Sequence, residues 1–443
     1  MIKKSLGQGS NYSKIVSYFC DDLWFMKLLL KNAILLDEKS PFHNQTKDVL
    51  IEKGILTQIE DHIEVDVDKV INLKNLHLSS GWFDPNVSFG EPGYEDRETL
   101  KNGLKTAAKS GFTHIVLNPN TIPVIGTHSD VSHLLKSHKN QPTALHISAV
   151  LSEGGKGNKM ASLLDLHKAG AVAFGDYKTA YNNPNLLRIS LDYAQSFKGL
   201  IQAYPMDKSL SNNGQMHEGI VSTTLGLKGI PVVAETSILA RDLQLLEYTQ
   251  GKLHIPFISS ASSLELVRAA KKKGLNVSCG VGIPHLLFTD ENLMNFNSNY
   301  KIFPPLRSAS DQRALREGLL DGTIDMLSCM HQPINTELKD LDFISAHEGS
   351  IGLEAAFGVL QNHFPLEKVI TFLTRGKKRF GIEEAGFIIG TQADFSLFTP
   401  KGAEIFTNEN IHSTSKNCMF IGSPFQGSVY GCIRGTEFHL NTL

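Results

Sequence analysis

Between residues 76 and 331, short apolar runs alternate with segments of helical period, and this alternation constrains the fold more than any other feature of the chain. Eight runs read as strands: "LHLSSGWFDPN" (76–86), "HIVLNPN" (114–120), "ALHISAVL" (144–151), "AVAFGD" (171–176), "GLIQAYP" (199–205), "LHIPFISS" (253–260), "NVSCGVGI" (276–283) and "MLSCMH" (326–331). Most are continuously apolar rather than alternating, as a strand covered on both faces requires. The segments between them carry the helical signature. "DRETLKNGLKTAAKSG" places Leu100, Leu104, Ala107 and Ala108 on one face and stops at Gly111. "SSLELVRAAKKKG" sets Leu264, Val267 and Ala270 inward, with Ser262 and Glu265 at capping-box spacing. Strand and helix in such alternation predict an α/β fold, a closed (β/α)8 TIM barrel over residues 77–384. Its working residues belong at the C-terminal strand ends.

Both ends of the chain are β-rich. "KLLLKNAILLD" and "DVLIEKGILTQIED", with Gly54 between apolar stretches, have hairpin chemistry and no helical period. "ADFSLFTP" and "GSVYGCIRGTEFHL" resemble them. Residues 26–76 and 385–443 are therefore expected to build one small β-sandwich from both chain ends. Residues 1–25 begin with a lysine pair but lack the apolar core of a secretory signal. The first strand pattern starts at Met26, so the preceding residues are expected to be an upstream extension that the fold does not need.

Composition excludes several function classes. Among 443 residues the formal net charge is -2, which gives no electrostatic reason to expect nucleic acid or an anionic membrane as partner. The run Lys271-Lys272-Lys273 closes a helical segment, where cations suit the dipole. No apolar run reaches the roughly 18 residues of a membrane span. Five cysteines (Cys20, Cys279, Cys329, Cys418 and Cys432) are scattered, without a C-x-x-C pair, which suits a reducing, cytoplasmic setting. There is no H-x-H, H-E-x-x-H, G-x-S-x-G, P-loop or dinucleotide fingerprint. His128, His133 and His138 recur every five residues, about 140° apart on a helix, and so scatter around it. His285 and His331 lie near strand ends, where a lone histidine reads as a hydrogen-bonded barrel residue more readily than as a metal ligand.

The strand ends carry a collinear set of motifs: Asp84 followed by Glu91-Pro92-Gly93, then Pro119-Asn120-Thr121, Met216-His217-Glu218-Gly219, Pro304-Pro305-Leu306-Arg307 and Gly352-Leu353-Glu354. In this set, from about Met26 to the C-terminus, the chain resembles the dihydroorotase family of the amidohydrolase superfamily. The resemblance implies the barrel and sandwich already described. It also implies one or two zinc ions and reversible opening of the cyclic amide of dihydroorotate in pyrimidine biosynthesis. In that chemistry a metal-activated hydroxide attacks the carbonyl and an aspartate shuttles the proton.

Carried over position by position, the resemblance implies a degenerate member. The histidine ligands after the first barrel strand fall at Asn86 and Ser88, and the substrate-gripping arginine at Gly90. The bridging carboxylate falls at Asp176 or Tyr177, and the later histidines at Tyr204 and Phe257. The substrate asparagine falls at Phe303 and the catalytic aspartate at Met330. Asn120 and Asp176 are what is left of the pocket. Neutral amide and hydroxyl oxygens are poor ligands for zinc, phenylalanine has no donor, and methionine offers only a thioether. The expected protein is a homo-oligomer that carries no metal or other cofactor and catalyses nothing. The resemblance implies a structural or regulatory partnership with aspartate transcarbamoylase. Two alternatives stay open: a working cyclic amidohydrolase with an atypical zinc site, and a small-molecule binding protein.

Overall fold

The structure, a computed structural model, describes residues 26–441. The extension expected at residues 1–25, with Cys20, lies outside them. The N-terminal end forms β1 (Lys27–Leu36), β2 (Thr46–Glu52), β3 (Ile55–Glu60), β4 (Lys69–Ile71) and β5 (His77–Ser80). There follow β6 (Trp82–Val87), β7 (Phe112–Leu117), β8 (Ala144–Ala149), β9 (Ala173–Phe174) and β10 (Ile201–Gln202). A small parallel pair, β11 (Met216–His217) and β12 (Gly229–Ile230), precedes β13 (Leu253–Ile255), β14 (Val277–Gly282) and β15 (Met326–Ser328). The C-terminal end supplies β16 (Asp394–Ile405), β17 (Pro424–Arg434) and β18 (Glu437–Leu440).

The eight apolar runs supply the barrel. Strands β6, β7, β8, β9, β10, β13, β14 and β15 pair in that order, every pairing parallel. The last strand returns to the first: Ser328 Oγ and Cys329 N each donate to the Asp84 carboxylate at 2.8 Å. Helices lie between the strands. Helix Leu100–Lys109 is capped by Thr99 and buries Leu100, Leu104, Ala107 and Ala108, the face its period predicts. Helix Ala261–Lys272 buries Leu264, Val267 and Ala270, but its cap is Ser260, which accepts from Ser263 N at 3.2 Å. Ser262 therefore lies inside the helix, and Glu265 pairs with Arg268 instead of closing a capping box.

The two chain ends meet in one sheet, ordered β18-β17-β16-β5-β1-β2-β3, with β4 against β1. The run at 76–86, expected as a single barrel strand, divides between the two sheets at Gly81. A side chain there has no room: a Cβ would sit 1.9 Å from Thr113 Oγ1 and 2.0 Å from Asp394 Oδ1. Just beyond it, Trp82 stacks on Phe357 at 5.1 Å and meets Phe398 of β16 at 5.5 Å, joining barrel and end sheet through one aromatic cluster. A second link is ionic. Buried Lys377 donates to Asp394 Oδ2 at 2.6 Å, and His114 of β7 faces the same oxygen at 3.2 Å. Burial alone would push the Asp394 pKa up, but Lys377 and His114 outweigh it and hold the carboxylate far below its ordinary range.

Candidate functional site

The C-terminal strand ends converge at the barrel mouth, where Asp84 anchors the floor. Its buried carboxylate accepts from Asn86 N at 2.9 Å besides the two bonds from Ser328 and Cys329. Burial raises its pKa, against the pull of those donors. Above it, Asn118 donates Nδ2 to Asn86 Oδ1 at 2.7 Å and to Ser88 Oγ at 3.1 Å. Ser88 Oγ donates to Tyr177 Oη at 3.2 Å, and Tyr177 Oη donates to Gln332 Oε1 at 3.3 Å. Lys178 closes the network, with Nζ 2.8 Å from Gln332 Oε1 and 3.2 Å from Glu348 Oε1. Burial opposes the Lys178 charge, but Glu348 beside it prevails and raises its pKa.

Asp176 and Tyr177 are neighbours with different environments. The Asp176 carboxylate accepts from Leu151 N at 2.9 Å, from Ser152 N at 3.0 Å and from Ser152 Oγ, so it ties the loop after β8 to the end of β9. Burial raises its pKa, against those three donors. Tyr177, at φ 53°, lines the centre of the mouth together with Asn86 and Asn118. Met330, just past β15, is also left-handed, at φ 54°. Left-handed backbone is disfavoured for side chains of this bulk, and such strain gathers at functional positions.

The rest of the mouth is apolar packing. Tyr204 is buried and stacks on Phe303 at 5.7 Å between ring centres; Phe257 is buried beside it. Burial holds the Tyr204 phenol well above its ordinary pKa. Met330 lies over Gly282, where a Cβ would come within 2.1 Å of its sulfur. Asn86, Asn118, Tyr177, Gln202, Tyr204 and Phe257 line a void of about 10 Å³, room for about one water. Tyr204 Oη and Gln202 Nε2 have no protein partner.

The other predicted positions stand apart from this centre. Gly90 is held by its own backbone, donating to Glu98 O and accepting from Tyr94 N, each at 2.9 Å. A Cβ there would lie 1.7 Å from Tyr94 O, so no longer side chain fits this loop as it is folded. Asn120 does not line the void, and its Oδ1 is buried without a partner. His285 Nε2 faces Pro304 O at 3.1 Å, and burial lowers its pKa to about 4. His331 Nδ1 accepts from Gly352 N at 3.3 Å and Leu353 N at 3.4 Å; burial again sets its pKa at about 4. Among the described residues, no three His, Cys, Asp or Glu side chains gather as a metal-binding group. Asn118, Gln202, Lys178, Gln332 and Glu348 are members of the site that motif reading missed. The signal for Gln202 was available, because it is a polar residue inside the apolar run "GLIQAYP".

Comparison with known proteins gives concordant results. A family model described as dihydro-orotase-like matches residues 78–263. The chain is 34% identical over 417 residues to the dihydroorotase of Pelotomaculum thermopropionicum, covering 93% of this chain and 97% of that protein. It is 35% identical over 413 residues to the dihydroorotase of Syntrophus aciditrophicus, covering 91% and 97%. Among solved structures, the L-hydantoinase of Arthrobacter aurescens superposes with a TM-score of 0.81 at 19% identity, covering 94% of this chain and 98% of that one. At that identity the structural likeness speaks for the fold alone, a TIM barrel with a sheet contributed by the chain ends.

Proposed function

The chain belongs to the dihydroorotase family, and from that premise we propose that it is a catalytically inactive member, lacking the metal-binding and catalytic residues, whose folded shell serves as a structural or regulatory partner of aspartate transcarbamoylase. One observation carries this reading: the mouth is filled, leaving a void of about 10 Å³, and the side chains at the positions assigned to metal ligands are neutral or apolar. Asn86, Ser88 and Tyr177 spend their oxygens on Asn118, on Gln332 and on one another. Tyr204 and Phe257 present rings. Such a set does not fit zinc, which takes imidazole, thiolate or carboxylate, so no step through a metal is derived. A filled centre also resolves an electrostatic problem. A carboxylate cluster deprived of its metal would leave buried charges, each costing several kcal/mol.

The purified protein is expected to carry no stoichiometric zinc and to show no ring opening of dihydroorotate. Met330→Asp alone should not restore turnover. Aspartate tolerates the left-handed backbone better than methionine does, a gain of roughly 1 kcal/mol at most. An unpaired carboxylate at a site only 8% exposed costs more than that, so this variant should melt lower. About one metal per chain after chelator washing, or metal-dependent turnover by the unaltered protein, would sink the proposal. The partnership is checked by mixing the protein with the aspartate transcarbamoylase of the same organism. Co-elution on gel filtration, or a change in carbamoyl transfer, is expected.

A second reading, an active dihydroorotase with an atypical site, draws on the 34% identity across 93% of the chain to a protein of that name. The metal and turnover measurements decide between the two.

A further inference from the structure

We infer that the rim built by the segments after β14 and β15 is a docking surface for a protein that presents apolar side chains edged with lysine or arginine. The inference rests on the proposed scaffold role and gives that scaffold a face. Residues 290–301 and 336–349 lie side by side beyond the C-terminal ends of the barrel strands. Lys301 Nζ fastens them, donating to Phe343 O at 2.7 Å and Ile344 O at 2.9 Å. Ser298 Oγ donates to Lys339 O and Gly349 N to Lys301 O, each at 2.9 Å, and the Phe296 and Phe343 rings meet edge-on at 6.2 Å.

On this fixed platform Met294, Phe296, Leu341 and Ile344 are 46%, 47%, 45% and 64% exposed. Single exposed apolar side chains are ordinary on any surface, whereas a group carried by two interlocked segments marks an interaction site. Phe296 is moreover at φ 54°, so an aromatic ring is presented to solvent on backbone that disfavours it.

The exposed charges around this group are mostly acidic. Glu291, Glu337, Asp340 and Asp342 are exposed, and none is in a salt bridge among the described residues. The two lysines of these segments offset them only in part. Lys301 is engaged with carbonyl oxygens, and Lys339 is buried, donating to His347 O at 3.0 Å. The near-neutral balance of the whole chain conceals this local field. A partner must therefore bring apolar groups with a cationic edge, since juxtaposed like charges penalise wrong partners. A second copy docking through the same face would bring the same carboxylates and be repelled.

The test uses the full chain and, as probe, the aspartate transcarbamoylase of the same organism. Two exposed double variants, Phe296→Ser with Ile344→Ser and Asp340→Lys with Asp342→Lys, are compared with the unaltered chain and with Ile189→Ser/Tyr193→Ser on a distant helix. Each rim variant is expected to raise Kd at least tenfold while melting like the unaltered chain; the charge effect should shrink at high salt. The distant control should stay within about twofold. If the unaltered chain binds and both rim variants bind equally well, the surface assignment is wrong while the scaffold reading stands. If the unaltered chain does not bind, the scaffold reading fails and the surface assignment falls with it. If the apolar variant instead dissociates a homodimer, the occupant is a second copy and the assignment to a basic-edged partner is overturned.

Discussion

Asp394→Ala is expected to lower the unfolding free energy by about 3–5 kcal/mol, the usual consequence of removing one partner from a buried ion pair. Lys377 is 1% exposed, and its ammonium donates to Asp394 Oδ2 at 2.6 Å. With the carboxylate gone, a buried cation would remain without a counter-charge. Replacing Lys377 by methionine in the same chain should recover part of the loss, because the stranded cation is removed and only His114 Nε2 is left without its carboxylate partner. The pair also sets an acid response. A carboxylate whose folded pKa lies below its unfolded value of roughly 4 contributes stability that is complete above that value and is lost as the pH falls below it. Denaturant unfolding at pH 7 and pH 3 measures both effects. The difference between unaltered chain and Asp394→Ala should be large at pH 7 and smaller at pH 3. Equal stabilities at pH 7 would show that the pair contributes nothing.

Gly90→Arg, which restores the side chain that the family resemblance assigns to this position, is expected to abolish soluble folded protein or to cost more than about 4 kcal/mol, a range reached only by severe lesions. The reason lies in the first atom of the side chain rather than in its charge. A Cβ at residue 90 would overlap Tyr94 O at 1.7 Å and approach Glu98 O at 2.9 Å. Both oxygens belong to backbone held by the bonds Tyr94 N to Gly90 O and Gly90 N to Glu98 O. Gly90→Ala carries the same Cβ without length or charge, so it should fail in the same direction. Thermal melts of the two variants decide the matter. An unchanged melting temperature for Gly90→Arg would mean that the loop at 90–98 rearranges freely.

The barrel was legible because strands covered on both faces leave continuous apolar runs, and eight such runs occur in the order in which the strands pair. Strand lengths were less legible. "LHIPFISS" is strand only over Leu253–Ile255, because Pro256 has no N–H for a ladder and the apolar run continues into the mouth. The division of residues 76–86 was hidden for a different reason. Apolar period does not say which sheet a strand joins, and Gly81 was the sole sign of the crossing. At the site, Asp176 and Tyr177 could not be separated by sequence, since adjacent residues at a strand end point to opposite sides and a one-residue ambiguity inverts the assignment. The contact of Lys178 with Glu348 spans 170 residues and leaves no local trace.

The passage through Gly81 bears on cooperativity. Four residues of one sheet and six of the other adjoin a single glycine, and Trp82 carries the aromatic stack across the junction. With no linker between them, a loss of register on one side is transmitted directly to the other. The barrel and the terminal strands are therefore expected to unfold together, so that a lesion in β1–β5 or β16–β18 is felt at the mouth.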